Sequence, residues 1–163
     1  MPMASRPGAL VLICLLVLAG CGRRSPPYQG KSAAELEHML HDPSPAVQAQ
    51  GAIGLSLLGP EARQAVPALI PLLKSPETMV RENAAQALGK IGPEARDAVP
   101  ALTESLKDPA WGVRRHAALA LGDIGPAARP ALPRLEALRK DPDSLVRKAA
   151  QVSAGKVKGP AGR

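Results

Sequence analysis

One spacing constrains this chain more than any other, a 33-residue offset at which the sequence matches itself. Set the blocks that begin at Asp42, Ser75 and Asp108 beneath one another, and about half of the residues in successive blocks are identical. Pro43, Pro76 and Pro109 coincide, as do Val47, Val80 and Val113, then Leu55, Leu88 and Leu121. The pairs Gly59-Pro60, Gly92-Pro93 and Gly125-Pro126 follow, and beyond them Arg63/Arg96/Arg129, Pro67/Pro100/Pro133 and Lys74/Lys107/Lys140. Self-similarity at this period means one supersecondary unit stacked on copies of itself, because a single unit cannot bury its apolar face alone. Such a molecule offers a surface more readily than a pocket.

Each unit reads as two helices. Val80, Ala84, Ala87, Leu88 and Ile91 fall on one face of a 3.6-residue helix, and Val113, Ala117, Ala120, Leu121 and Ile124 repeat the pattern. Ser44-Pro45 and Asp143-Ser144 read as helix starts with a side-chain acceptor at the cap. Gly59, Gly92 and Gly125 are expected to stop the first helix in a left-handed conformation. The second helix, with Val66, Leu69, Ile70 and Leu73 as its stripe, should begin after a brief turn near residues 64–66, because Pro67 fits only a first turn. Pro71 should kink or shorten that helix in the first unit, and Gly51 and Gly54 should weaken the helix before it. The array starts and ends on half-units: residues 31–41 align with a second helix, and Val146, Ala150, Ala154 and Val157 repeat the first-helix pattern. The expectation is eight helices over residues 31–158, about four antiparallel pairs in an all-α, right-handed solenoid, with residues 159–163 a frayed tail.

The first twenty residues read as an address. Arg6 precedes an uncharged apolar run from Ala9 to Ala19, too short for a spanning helix, which needs about 20 apolar residues, and suited to the core of an export signal. Its end, Leu18-Ala19-Gly20-Cys21, resembles the lipobox of bacterial lipoproteins. That resemblance implies cleavage after residue 20, lipid on the Cys21 thiol, and anchoring without a membrane span; Gly22 in place of Asp implies the periplasmic leaflet of the outer membrane. Cys14 would leave with residues 1–20 and Cys21 would be acylated, so no thiol remains for a disulfide, a metal or a nucleophile. Residues 21–30 read as a lipidated Cys and flexible tether, in which Arg23 and Arg24 serve either as headgroup contacts or as solvated linker charges.

The units resemble HEAT repeats, in the short variant found in phycobilin lyases. The carrying residues are Asp108-Pro109, Val113-Arg114, the run Ala117 to Gly125, and Ala131-Leu132-Pro133 with Leu135. The ankyrin Thr-Pro-Leu-His start is missing, and the aromatic positions of tetratricopeptide repeats hold Ala and Leu. In the HEAT family an Asp at the start of the first helix and an Arg six residues on form a ladder between repeats. Asp108 with Arg114 and Asp141 with Arg147 match; Ser75 with Arg81 keeps only the Arg, and Asp42 with Gln48 only the Asp. The resemblance therefore implies a ladder that weakens toward the N-terminus.

Little in the sequence points to catalysis. The hydroxylase branch of the family binds iron through His-Glu dipeptides, and none occurs here. His38 and His41, three apart on one helix, read as polar-face residues, and Asp141 with Asp143 as capping groups. A bilin-lyase role is the less favoured reading; the chain is expected to be a non-enzyme without cofactor or metal. Without Arg6, 20 of the 21 basic residues remain against 14 acidic ones. Nucleic acid is not expected as a partner, because export separates the two and aromatic residues for stacking are lacking. The favoured function is a lipid-anchored envelope scaffold that grips a partner protein with its concave second-helix face. The alternative is a binder of anionic lipid or glycan. Candidate contacts are the row Lys74, Lys107 and Lys140, extended by His41, and the row Arg63, Arg96 and Arg129.

Overall fold

The computed structural model describes residues 26–159, and among them are eight α-helices and no strand. In chain order these are α1 (Ala33–Met39), α2 (Pro45–Leu58), α3 (Val66–Leu72), α4 (Thr78–Ile91), α5 (Val99–Ser105), α6 (Trp111–Ile124), α7 (Leu132–Ala137) and α8 (Ser144–Lys158). Residues 1–25, which include the expected export signal and the expected lipidation site Cys21, and residues 160–163 lie outside the described part. The even-numbered helices α2, α4, α6 and α8 pack successively as one layer, and each odd-numbered helix rests on the even one that follows it. The result is an α-solenoid. Its core is a continuous band of Leu, Ala, Val and Ile, with Leu55, Leu88 and Leu121 each fully buried at the same unit position.

The connection between the two helices of a unit is longer and more regular than the expected turn. Gly59–Ala65, Gly92–Ala98 and Gly125–Ala131 are 3-10 helices. A 3-10 helix has about three residues per turn, so residues i and i+3 share a face. Ala62 with Ala65, Ala95 with Ala98, and Ala128 with Ala131 use that face and are buried. The three glycines have φ of 59°, 74° and 78°, positive as expected, but ψ of −130°, −138° and −141°. That is not the left-handed helical conformation; it is the first corner of a type II′ turn, which leads the following proline directly into the 3-10 stretch.

Other local expectations are revised. Pro71 does not shorten α3, which has seven residues like α5. The second helices end after two turns in any case, so the bond Pro71 lacks lies at a terminus. Ser44 makes no side-chain cap; Asp42 Oδ1 instead accepts from the Ser44 amide at 2.8 Å. Asp143 does cap α8, accepting from the amides of Leu145 and Val146 at 2.8 and 3.1 Å. At α1, Ser32 and Glu35 form a reciprocal capping box. His41 lies beyond the end of α1, which closes at Met39, so the two histidines do not share a helix.

Gly51 and Gly54 are not mere weak points. A Cβ at residue 51 would stand 2.8 Å from the Leu36 carbonyl oxygen, and one at 54 would overlap the Leu36 side chain and come within 2.9 Å of Tyr28 Cβ. The two glycines let α1 and Tyr28 press closely onto α2. The end of the expected tether thus belongs to the fold: Pro26–Gly30 forms a turn, and Tyr28 packs on the core.

Candidate functional site

Arg–Asp pairs fix how one unit meets the next. Arg81 and Arg114 each do two things. The Nη1 of Arg81 donates to the carbonyls of Ser75 and Pro76 at 2.9 and 3.0 Å, and that of Arg114 to Asp108 and Pro109 at the same distances. Their Nε and Nη2 then grip a carboxylate of the following unit: Arg81 reaches Asp108 at 2.7 and 3.1 Å, and Arg114 reaches Asp141 at 2.8 and 2.9 Å. Each Asp also accepts an amide two residues on, from Ala110 and Asp143. Hydrogen bonds from Arg114 hold the Asp141 carboxyl below its usual range despite burial, and the same bonds raise the guanidinium. Gln48 keeps only the inner half of this arrangement, a bond from Nε2 to the Asp42 carbonyl at 2.8 Å. Arg147 likewise bonds its own Asp141 and Pro142 carbonyls, at 2.7 and 2.8 Å.

The two basic rows are placed at opposite ends of the second helices. Arg63, Arg96 and Arg129 sit in the 3-10 stretches, exposed, with no carboxylate of the described residues within 4 Å. Lys74, Lys107 and Lys140 follow the second helices and are exposed, as is His41. Lys107 pairs with Glu104 at 3.6 Å, and Arg134 approaches the same carboxylate at 3.8 Å. The rows are not uniform in charge. Glu61, Glu94 and Asp97 stand in the stretches of Arg63 and Arg96, whereas Ala127 and Pro130 flank Arg129.

Summed over elements, the excess charge is concentrated at one end. Residues 129–158 hold eight basic side chains against Glu136, Asp141 and Asp143; residues 31–91 hold five against six carboxylates. This gradient lies outside the period, in residues that change from unit to unit rather than recur. The signal was in the sequence, at Arg134, Arg139 and Lys158, which stand where the preceding unit holds Ala101, Leu106 and Gly125.

The described surface has shallow grooves. One of about 520 Å³ runs between α3 and α5 along Ile70, Pro71, Lys74, Pro100, Ala101 and Glu104. Another, about 510 Å³, opens between α4 and α6 and is lined by Lys90, Arg115, His116, Asp123 and Lys156. Burial, with the nearby Arg115 charge, pushes the His116 pKa down; its Nε2 lies 3.4 Å from Arg115 Nη1 while its Nδ1 is buried without a partner. Among the described residues no group of three or more His, Cys, Asp or Glu is placed to hold a metal. No described helix is long and apolar enough to cross a membrane.

A model of HEAT repeats matches residues 33–97 and 93–155. The chain belongs to the HEAT-repeat family. Its structure is similar to that of an engineered protein (28% identity, 77% of this chain and 62% of that one, TM-score 0.68), so it spans less than two thirds of that neighbour's length. Human deoxyhypusine hydroxylase is similar too (29% identity, 82% and 46% covered, TM-score 0.61). The complex of CpcE and CpcF of phycocyanin lyase from Nostoc aligns over 96% of this chain and 68% of that one, with a TM-score of 0.69. At 24% identity that likeness speaks to the fold alone. Among curated proteins none matches the sequence.

Proposed function

We propose that this HEAT-repeat chain is a lipid-anchored scaffold of the cell envelope that binds an acidic partner protein on its solenoid surface, without catalysing a reaction. The observation that carries the binding part is the charge gradient: eight basic side chains against three carboxylates over residues 129–158, on a rigid stack whose exposed Arg129 and Lys140 have no carboxylate within 4 Å among the described residues. Repeat solenoids present extended surfaces of this kind. Clustered like charge attracts a complementary partner and raises its rate of encounter. The anchor rests on the Leu18-Ala19-Gly20-Cys21 run after an uncharged apolar segment, and the placement in the outer membrane on Gly22.

Two measurements test the two parts separately. Wild-type chain should incorporate labelled palmitate and Cys21→Ala should not; an unlabelled wild type removes the anchor. Crosslinking at the membrane followed by mass spectrometry should recover a protein whose yield falls at least tenfold with Arg129→Glu plus Lys140→Glu, while helical content is unchanged. Unchanged recovery moves recognition to another face. If the double reversal instead abolishes binding to vesicles of anionic phospholipid and leaves protein capture intact, the surface reads lipid.

A further inference from the structure

We infer that the outer face of the layer formed by α2, α4, α6 and α8 is a docking surface for a bilayer of anionic phospholipid. On α8 the outward side chains are Leu145, Val152 and Lys156. The last two follow the first by seven and eleven residues, so at 3.6 residues per turn all three point within about 20° of one direction. Packing fixes that direction. Leu88, nine residues beyond the equivalent Met79, points the opposite way and is fully buried. Residues eight and ten positions on lie to either side, where first helices meet: a Cβ on Gly89 would stand 3.0 Å from Ala120 Cα, and one on Gly122 2.8 Å from Ser153 Cβ. The stripe therefore faces away from the core and from both neighbouring first helices. It is present on α4 and α6, which have such a helix on each side.

A solvated face would be polar at these positions, and this one is not. Leu57, Met79, Leu145 and Val152 all lie in the stripe and are between 47% and 72% exposed. Ile53 and Leu119 extend it, partly buried. Of the large apolar side chains exposed among the described residues, Trp111 alone falls outside the stripe, and it opens α6. The charges beside this apolar surface are mostly positive. Glu82 and Asp123 are the carboxylates of these four helices, and both are engaged. Glu82 lies against the first turn of α6, where a Cβ on Gly112 would otherwise stand, and a carboxylate is favoured at a helix start. Asp123 accepts from Lys156 at 2.7 Å. Lys90, Arg115 and Lys148, in or beside the stripe, have no carboxylate within 4 Å among the described residues.

Exposed aliphatic groups bordered by unpaired Lys and Arg suit the boundary between headgroups and acyl chains. There the apolar groups leave water while long basic side chains keep their charges among lipid phosphates. The shape agrees. The depression between α6 and α8, lined by Leu119, Leu145 and Val152, is only about 230 Å³, below the 300–1,000 Å³ or so of small-molecule pockets. The tether points to the same face. Pro26 and Leu57 line one depression, with Tyr28 docked beside Gly54. Cys21 stands five residues before Pro26, and five residues span at most about 18 Å. A lipid on Cys21 would thus hold the Leu57 end of the stripe close to the bilayer. This step rests on the anchor proposed above; the stripe and its charges do not. Arg129 and Lys140 lie outside these four helices, so docking leaves them exposed for the acidic partner.

A local fluorescence readout tests this. Trp111 is the sole tryptophan, so on a Trp111→Phe background Val152→Trp reports on the stripe and Lys74→Trp on the second-helix layer. The full chain is mixed with vesicles of phosphatidylglycerol and phosphatidylcholine whose acyl chains are brominated. Emission from Val152→Trp should shift to the blue and be quenched at least twofold, while that from Lys74→Trp should change by less than a tenth. Arg115→Glu with Lys148→Glu, and separately Met79→Gln with Leu145→Gln, should each reduce the quenching at least fivefold with helical content unchanged. Vesicles of phosphatidylcholine alone should do the same to the unreversed chain. Failure of the anchor gives a different result: without lipid on Cys21 the quenching at Val152→Trp should be present but vanish as the vesicles are diluted, and with lipid it should persist. A chain that stays on the vesicles with Val152→Trp unquenched, equal quenching at both reporters, or indifference to the charge reversals would each overturn the inference. So would shielding of Val152→Trp by acidic envelope protein in the absence of lipid, which would assign the stripe to a protein partner.

Discussion

The even-numbered helices meet at three junctions, and the first differs from the other two. Between α4 and α6, and between α6 and α8, the helices approach closely over Gly89 and Gly122, and an Arg–Asp rung closes each junction. Between α2 and α4 the equivalent of the glycine is Ser56, whose hydroxyl donates to the Ile53 carbonyl at 2.7 Å, and the rung positions hold Gln48 and Ser75. Both partners of that rung are neutral together. A lone Arg or a lone Asp would have left a charge partly buried without its counterpart, which costs several kcal/mol, of order 3–5 where burial is complete. The comparison teaches that the rung behaves as a unit of two residues from adjacent repeats, lost or kept as a pair.

The largest test of this contrast is a cavity placed at the same position on either side of it. Leu121→Ala and Leu55→Ala both empty fully buried sites and should each cost about 2–5 kcal/mol locally. In a nearest-neighbour array the loss spreads according to how firmly each unit is held by the next. Hydrogen exchange should therefore show Leu55→Ala releasing α1 and α2 ahead of the rest, while Leu121→Ala lowers protection across α4, α6 and α8 together. Identical patterns from the two variants would mean that the junctions are equally strong.

Next in size is the rung itself. Arg114→Gln reproduces the Gln48 side of the N-terminal junction but leaves Asp141, whose side chain is 5% exposed, without its guanidinium. Hydrogen bonds to charged groups contribute about 1.5–3 kcal/mol, and denaturant unfolding should register a loss of that order. Acid should act on the same junction. Because Arg114 holds the folded-state pKa of Asp141 below its unfolded value, the carboxylate's contribution is complete above the unfolded pKa of about 3.9 and is lost as pH falls through the folded value. Exchange in α8 should thus quicken below about pH 4, and Arg114→Gln should flatten that dependence.

Much of this was legible in the sequence, for a physical reason: a periodic array repeats each constraint, so helix faces, stop signals and the burial of Leu55, Leu88 and Leu121 are each stated several times. The partners of the ladder were legible only through the family resemblance, since the rung joins residues 27 apart in chain and no local pattern reports it. Least legible were the places where one unit departs from the others. Gly51 and Gly54 read as helix weakness because propensity counts a residue's own backbone and not the Leu36 side chain above it. Tyr28 read as tether because a single docked ring has no period. The 3-10 stretches show in the sequence only as alanines three apart, a spacing that a helical reading at 3.6 residues absorbs without notice.

The smallest effect is the most direct test of the pairing rule. Gln48→Arg together with Ser75→Asp should install a third rung. The introduced guanidinium would take over the Asp42 carbonyl that Gln48 now bonds, and its outer nitrogens would reach the introduced carboxylate. The site is partly exposed, so the coupling should be modest, about 1 kcal/mol in a double-mutant cycle. The single changes should be neutral or slightly destabilising, each introducing one charge without its counterpart. Exchange protection in α2 should rise in the double variant. A new acid-sensitive step should appear there too, as the carboxylate placed at position 75 would be held by a guanidinium in the way Asp141 is. If the two substitutions are simply additive, neutrality at the first junction is not a missing rung but a different mode of packing, set by Ser56 and the closer docking of α1.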